Sequence, residues 1–164
     1  MKGRAVLLQE AQQARKLILN SSNPQSILWI AVTGSRDWWD RQSVQTPLDR
    51  LRNRYDHLVV FNGMASQGLD HLVDEWAMEH EGGGVHQVPF PADWGRNGRR
   101  AGFLRNGQMI QARPDRVLAW AKPCRKAKRS CSPGRHPSHG TADCVKQARD
   151  AAIPISFCPT GMKW

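Results

Sequence analysis

The chain has 164 residues, 40% of them hydrophobic, which fits one domain of ordinary size with a single core. No apolar run approaches the roughly 20 residues that cross a bilayer, and Gln, Glu, Arg and Lys break up the start of the chain, so neither a membrane span nor a secretory signal is expected and the reading is a cytoplasmic protein. The net charge of +10 is concentrated in Trp94–His139, where twelve Lys or Arg face one acid, Asp115. That segment carries +11, which points to an anionic partner: a phosphorylated small molecule, or a nucleic acid through the basic patch 94–139.

Residues 5–19 carry Ala5, Leu8, Ala11, Leu17 and Ile18 among Gln and Arg, an amphipathic helix pattern that Asn20–Pro24 breaks. Residues 1–24 therefore read as a helical extension, packing on the sheet or mediating self-association, and 25–164 as the domain. Ile27–Thr33 is a nearly continuous apolar run ending at Gly34, the mark of a strand buried on both faces. A helix is expected over Val44–Arg54 and a strand over His57–Phe61, with His57 at its exposed start. A helix follows from Gly68, where Leu69, Leu72, Val73, Trp76 and Ala77 repeat at helical spacing up to the Gly82–Gly84 stop. Val85–Phe90 reads as a strand, Gly98–Ala112 as a helix despite Gly102 and Gly107, and Arg116–Trp120 as a strand. Thr141–Ala152 reads as a helix with Thr141 as N-cap, and Pro154–Cys158 as a fifth strand. Strands alternating with helices predict an α/β, Rossmann-like three-layer fold with a mostly parallel sheet of about five strands. The misfit is 122–139, a basic stretch without periodicity between the fourth strand and the last helix; an insertion of that length usually has a function or lacks order.

In such sheets ligands bind beyond the carboxyl ends of the strands, so the residues just after each strand are the site candidates. Gly34 allows close backbone approach, Ser35 offers a hydrogen bond and Arg36 a bidentate grip on phosphate. Gly63 to Gly68 leads into a helix whose first N–H groups favour anions. Asp93 and Trp94 follow the third strand, ahead of Arg100, and Gly140–Thr141 opens the last helix. Neither GxGxxG nor GxxxxGK[ST] occurs, so no NAD(P) or P-loop ATP site is expected. Trp38 and Trp39 could stack on a base but are read as packing, Trp76 as core, and Trp94 as part of the pocket.

The four cysteines lie in a chain without an export signal, where thiols or a metal are better readings than disulfides. Within the insertion, Cys124, Cys131, His136 and His139 supply two thiolates and two imidazoles, a donor set that suits a tetrahedral structural zinc. A loop with no core of its own gains most from such a staple. Cys144 and Cys158 fall in a helix and a strand and read as core thiols.

The ordered series Gly34-Ser-Arg-Asp37, Gly63-x4-Gly68-x-Asp70 with Trp76-Ala77, Phe90-Pro-Ala-Asp-Trp94, Arg100-Ala-Gly102, Arg105-Asn106-x2-Met109 and Gly140-Thr-Ala-Asp143 resembles the YspA-type, YpsA-related branch of the SLOG superfamily over about residues 27–158. The resemblance implies a Rossmann-like fold and a nucleotide or nucleotide-derivative ligand, in a family found in bacteria and their phages, some of whose relatives build sites at dimer interfaces. It extends to the LOG-type phosphoribohydrolases, whose RKxxM motif looks like Arg105–Met109 and whose GGxGTxxE loop looks like the Gly140–Thr141 turn. Here Pro137-Ser138 replace the paired glycines and Cys144 stands at the catalytic Glu position, beside Asp143. A thiol cannot stabilise an oxocarbenium-like centre or activate water as a carboxylate does. The first expectation is therefore a nucleotide sensor or sequestering module. The alternative is a nucleotide N-glycosidic hydrolase, with Arg36 and Arg105 on phosphate and Asp70 or Asp143 near the ribose; the third reading is a DNA- or RNA-binding protein. Asn106 joins the ligand-binding set through the same motif.

Overall fold

Alternation of side chains along the central strand, β1 (Ile27–Gly34), divides the core in two. Ile30 and Val32 enter one cluster, while Ile27, Trp29 and Ala31 enter the other. The neighbours β2 (His57–Asn62) and β4 (Arg116–Trp120) do the same: Leu58, Val60, Leu118 and Trp120 on one side, Val59, Phe61 and Val117 on the other. Burial on both faces is why these strands are continuous apolar runs rather than alternating ones. The computed structural model describes residues 16, 26–125, 131 and 136–158; apart from Lys16, the helix expected over 5–19 lies outside them.

With β3 (Val85–Pro89) and β5 (Ile155–Phe157) the sheet has the order β3-β2-β1-β4-β5, and every pairing is parallel. The sheet expected to be mostly parallel is wholly so among the described residues. The chain winds outward from β1 to β3 and returns beside β1 as β4. This puts a topological switch point between β1 and β4, where a crevice opens at the strand ends.

One cluster is closed by α1 (Arg41–Arg52) and α2 (Leu69–Glu79), the other by α4 (Ala101–Gln111) and α5 (His139–Asp150). These are the two outer layers of a three-layer α/β fold. The α2 face buries Leu69, Leu72, Val73, Trp76 and Ala77, as their spacing requires. Helix α1 starts at Arg41, three residues before the expected Val44, because the Asp40 carboxylate caps it by accepting from the Ser43 amide at 3.1 Å. Pro47 inside α1 has no N–H for the Ser43 carbonyl, and that carbonyl instead accepts from the Trp120 indole at 3.0 Å.

Three elements differ from expectation. The helix read from Gly98 is preceded by one turn, α3 (Trp94–Asn97), capped by Asp93, and by a 3-10 turn over Gly98–Arg100. Gly98 at φ 49° separates α3 from the rest. Helix α5 begins at His139 with Ser138 as N-cap, so Thr141 is not the cap. Ser138, following Pro137, holds the extended backbone a cap needs, and Thr141 is buried in the first turn with its hydroxyl 2.8 Å from that of Ser138. His57 is half-buried rather than exposed, its Nδ1 lying 3.0 Å from His86 Nε2 at the amino end of the sheet, away from the crevice.

The Trp76 indole N–H donates to Asp49 at 2.8 Å, joining α2 to α1 across a fully buried ring. Asp49→Ala should therefore lower unfolding free energy by about 1 kcal/mol, the cost of an indole N–H left without an acceptor, measured by urea denaturation.

Candidate functional site

The crevice at the switch point is a cleft of about 920 Å³. Its walls come from the loop after β1, the loop leading into α2, α3 and the start of α4, and the two ends of the insertion after β4. The cleft holds Gly34, Ser35, Arg36, Asp70, Trp94, Arg105, Asn106 and Gly140 of the expected residues.

Asp70, in the first turn of α2, is 7% exposed. Its Oδ2 accepts from the Ala65 amide at 3.2 Å and pairs with Arg105 Nη1 at 3.3 Å. Burial pushes the Asp70 carboxyl above the usual carboxylate range, against the opposing pull of Arg105 and, more weakly, the Ala65 amide and Arg36. The Arg105 Nε is itself buried and without a protein partner. A guanidinium so placed is pinned by a carboxylate on one edge and retains donors for an anion. Above the pair, the Arg36 guanidinium lies 5.1 Å from the Trp94 ring centroid, a cation–π contact at the cleft mouth.

Ser35 is used by the protein itself. It is 2% exposed, its Oγ accepts from the Lys122 amide at 2.9 Å, and it donates to Ser138 Oγ at 3.3 Å. Gly63 and Gly68 shape the cleft from behind: Gly63 lies under Arg105, and Gly68, at φ 72°, lies against the Arg36 backbone. Asp93 and Arg100 line a neighbouring groove on the α3–α4 surface rather than the cleft. Asn106 is buried, and its Nδ2 donates to the Gly140 carbonyl at 3.1 Å and to Asp143 at 2.9 Å. The same Asp143 oxygen accepts from Gln147 at 2.8 Å, so this carboxylate ties α5 to α4. Cys144 is fully buried, and burial pushes its thiol up to about 12. Burial likewise raises Cys158 to about 11.

The two ends of the insertion pair with each other: Cys124 N–H donates to the His136 carbonyl at 2.8 Å and Ser138 N–H to the Lys122 carbonyl at 3.0 Å. This brings Cys124, Cys131, His136 and His139 together, their ligand atoms within 4.8 Å of one another. Cys131 Sγ is 3.2 Å from Cys124 Sγ and 3.0 Å from His136 Nε2, and His136 Nδ1 is 2.7 Å from the Pro137 carbonyl. A backbone acceptor on the second ring nitrogen fixes the tautomer that leaves Nε2 free for a metal. The group could hold a metal ion.

The family model of the YspA, cpYpsA-related SLOG proteins matches residues 29–96. The Gene 61 protein of Mycobacterium phage D29 is 38% identical over 129 residues, 77% of this chain and 92% of that protein. The chain belongs to this SLOG family. No solved structure matches it. The matched stretch carries three strands of the SLOG domain, the loop that holds Arg36 and the helix α2 that holds Asp70, while Arg105, α5 and the Cys/His group lie beyond it.

Several cleft residues of this SLOG domain are missed by reading the sequence. Trp38 and Trp39 go opposite ways: Trp38 packs in the core, and Trp39 is 58% exposed on the cleft. Arg99, Phe103 and Arg125 also line it. Arg99 and Phe103 sit beside glycines in a helical stretch, where sequence alone does not say which face is turned to the strand ends.

The glycines separate function from fold. A Cβ on Gly63 would lie 1.0 Å from Arg105 Nη1, the end of a flexible side chain that can swing away. A Cβ on Gly34 would meet Leu69 Cβ and the Trp120 carbonyl, both at 2.8 Å, and neither can move freely. Gly63→Ala should stay folded, with a smaller drop in melting temperature than Gly34→Ala, because the displaced Arg105 leaves the buried Asp70 carboxylate without its partner. Gly34→Ala should lose about 3 kcal/mol or more from overpacking. Thermal unfolding of both variants checks the contrast.

Proposed function

We propose that the cleft binds a nucleotide or a phosphorylated nucleotide derivative, and that the protein acts as a sensor or sequestering module in the cytoplasm of the cell that expresses it, the host cell where the gene is carried by a phage. The observation that carries this reading is the Arg105–Asp70 pair on the cleft floor, at 3.3 Å, beneath Arg36 and Trp94 at the mouth. Arginines pinned in a pocket suit phosphate, and exposed aromatic rings beside them suit a base. Membership of the SLOG family supports a nucleotide-related role.

Binding is favoured over hydrolysis of the N-glycosidic bond. One Asp143 oxygen accepts from both Asn106 and Gln147 in the contact between α4 and α5, and Cys144 is a buried thiol. Asp70 remains, with one of its two carboxylate oxygens committed to Arg105 and the Ala65 amide. The expected outcome with a panel of nucleoside phosphates is saturable binding by calorimetry, weakened at least roughly tenfold in Arg36→Ala and Arg105→Ala, each having lost a charge-assisted contact. Release of free base from nucleoside monophosphates, followed by chromatography, would instead establish the hydrolase.

The metal reading becomes specific on donor chemistry: two thiolates and two imidazoles fit zinc in a closed tetrahedral site, which is structural rather than catalytic. Protein purified without chelator should contain one zinc per chain by elemental analysis, and Cys124→Ser should lose it.

A further inference from the structure

We infer that the metal site is a wall of the ligand cleft, with Cys124 and His139 acting as positioning residues, so that metal and anionic ligand bind cooperatively. The inference rests on the proposed cleft and on the proposed metal. Its own ground is a shared set of residues. Cys124 and His139 belong to the Cys/His group and also line the cleft. His139 is the first residue of α5, and the next, Gly140, is a cleft residue whose carbonyl is held by Asn106.

The connection continues to β1. Lys122 and Ser138, at the two ends of the insertion, both bond to the Ser35 hydroxyl just after β1. Among the described residues, the backbones of the insertion's two ends are joined by the Lys122–Ser138 and Cys124–His136 bonds and the bridge between Pro123 and Pro137. One ion bound to four side chains would lock both arms to each other and to the first turn of α5. The cleft wall from Pro123 to Arg125 and from Ser138 to Gly140 then has a single arrangement against Gly34 and Arg36.

The coupling works through geometry, not charge. A divalent ion held by two thiolates and two neutral imidazoles is neutral overall, so it adds no attraction for a phosphate. Its effect on affinity should therefore survive added salt, whereas a charge effect would be screened. Reciprocity requires the anion to tighten the metal by the same factor that the metal tightens the anion.

The test uses the full chain, zinc-loaded, stripped with chelator, and reconstituted with cobalt, with AMP as the probe. Stripping should weaken AMP roughly tenfold, within the usual range of coupling between sites, at both low and high salt, and cobalt should restore it. AMP should shift the cobalt absorption bands, since two of the ligands face the cleft. Amide exchange at 139–142 and at Ser35 should rise on stripping and fall on reconstitution, with or without AMP. His139→Ala should show the stripped behaviour even when zinc is supplied. Equal AMP affinity with and without metal overturns the inference, as does amide exchange at these positions that ignores the metal. If the zinc-loaded protein binds neither AMP nor any other nucleotide tried, the cleft reading fails and amide exchange alone decides whether the metal organises the wall. If the chain takes up no metal, the metal reading and this inference fall together while the cleft reading stands.

Discussion

Everything in this domain is arranged around a central strand buried on both faces. Because β1 contributes Ile30 and Val32 to one core and Trp29 and Ala31 to the other, helices must cover both sides of the sheet. Helices α1 and α2 take one side, and α4 and α5 the other. The change of side occurs where the chain returns from β3 to lay β4 against β1. The helices on either side of that point diverge at the strand ends, and the cleft is the gap they leave. The β1–β4 junction is correspondingly tight: Gly34 has no room for a side chain beside Leu69 and the Trp120 carbonyl.

That tight junction sets the chemistry above it. Asp70 stands one residue after Leu69, which packs under Gly34, so its carboxylate is held in the cleft floor away from water. A carboxylate there resists ionisation, and Arg105, laid across the bare face of Gly63, is what opposes that tendency. An isolated buried charge is expensive, but a pair that keeps donors facing the cleft can exchange part of its hydration for a ligand anion. Residues in the outer ring serve this pair indirectly. Asn106 and Asp143 fix α4 against α5, and α4 is the helix that carries Arg105.

The insertion after β4 is a different kind of structure. Among the described residues its buried apolar side chains are Cys124, Cys131 and Pro137, and its two ends are held by backbone bonds and by Ser35. Two cysteines and two histidines converge there, a group that could hold a metal ion, and a bound ion would give such a segment a rigidity that hydrophobic burial does not. Its position at the switch point, rather than at a remote loop, puts its two ends in the cleft wall.

The fold was almost entirely legible in the sequence. Continuous apolar runs at 27–33 and 57–61, the helical repeat from Leu69 to Ala77 and the alternation of element types determine a parallel sheet with helices on both faces. These signals are local, and burial on both sides leaves a pattern that needs no partner to read. The loops at the strand ends follow from the order of the elements, and the two Cys and two His that converge in the insertion stand out by residue type. Only the tertiary structure decided where each side chain went: Trp39 to the cleft and Trp38 to the core, Asp143 to Asn106, Ser35 to the insertion, Asp93 and Arg100 to a separate groove. Helix starts also shifted: the Asp40 carboxylate caps α1, and the extended backbone of Ser138 starts α5 at His139. Such choices depend on contacts between residues as far apart as Ser35 and Ser138, and neither spacing nor composition records which distant group arrives to make them.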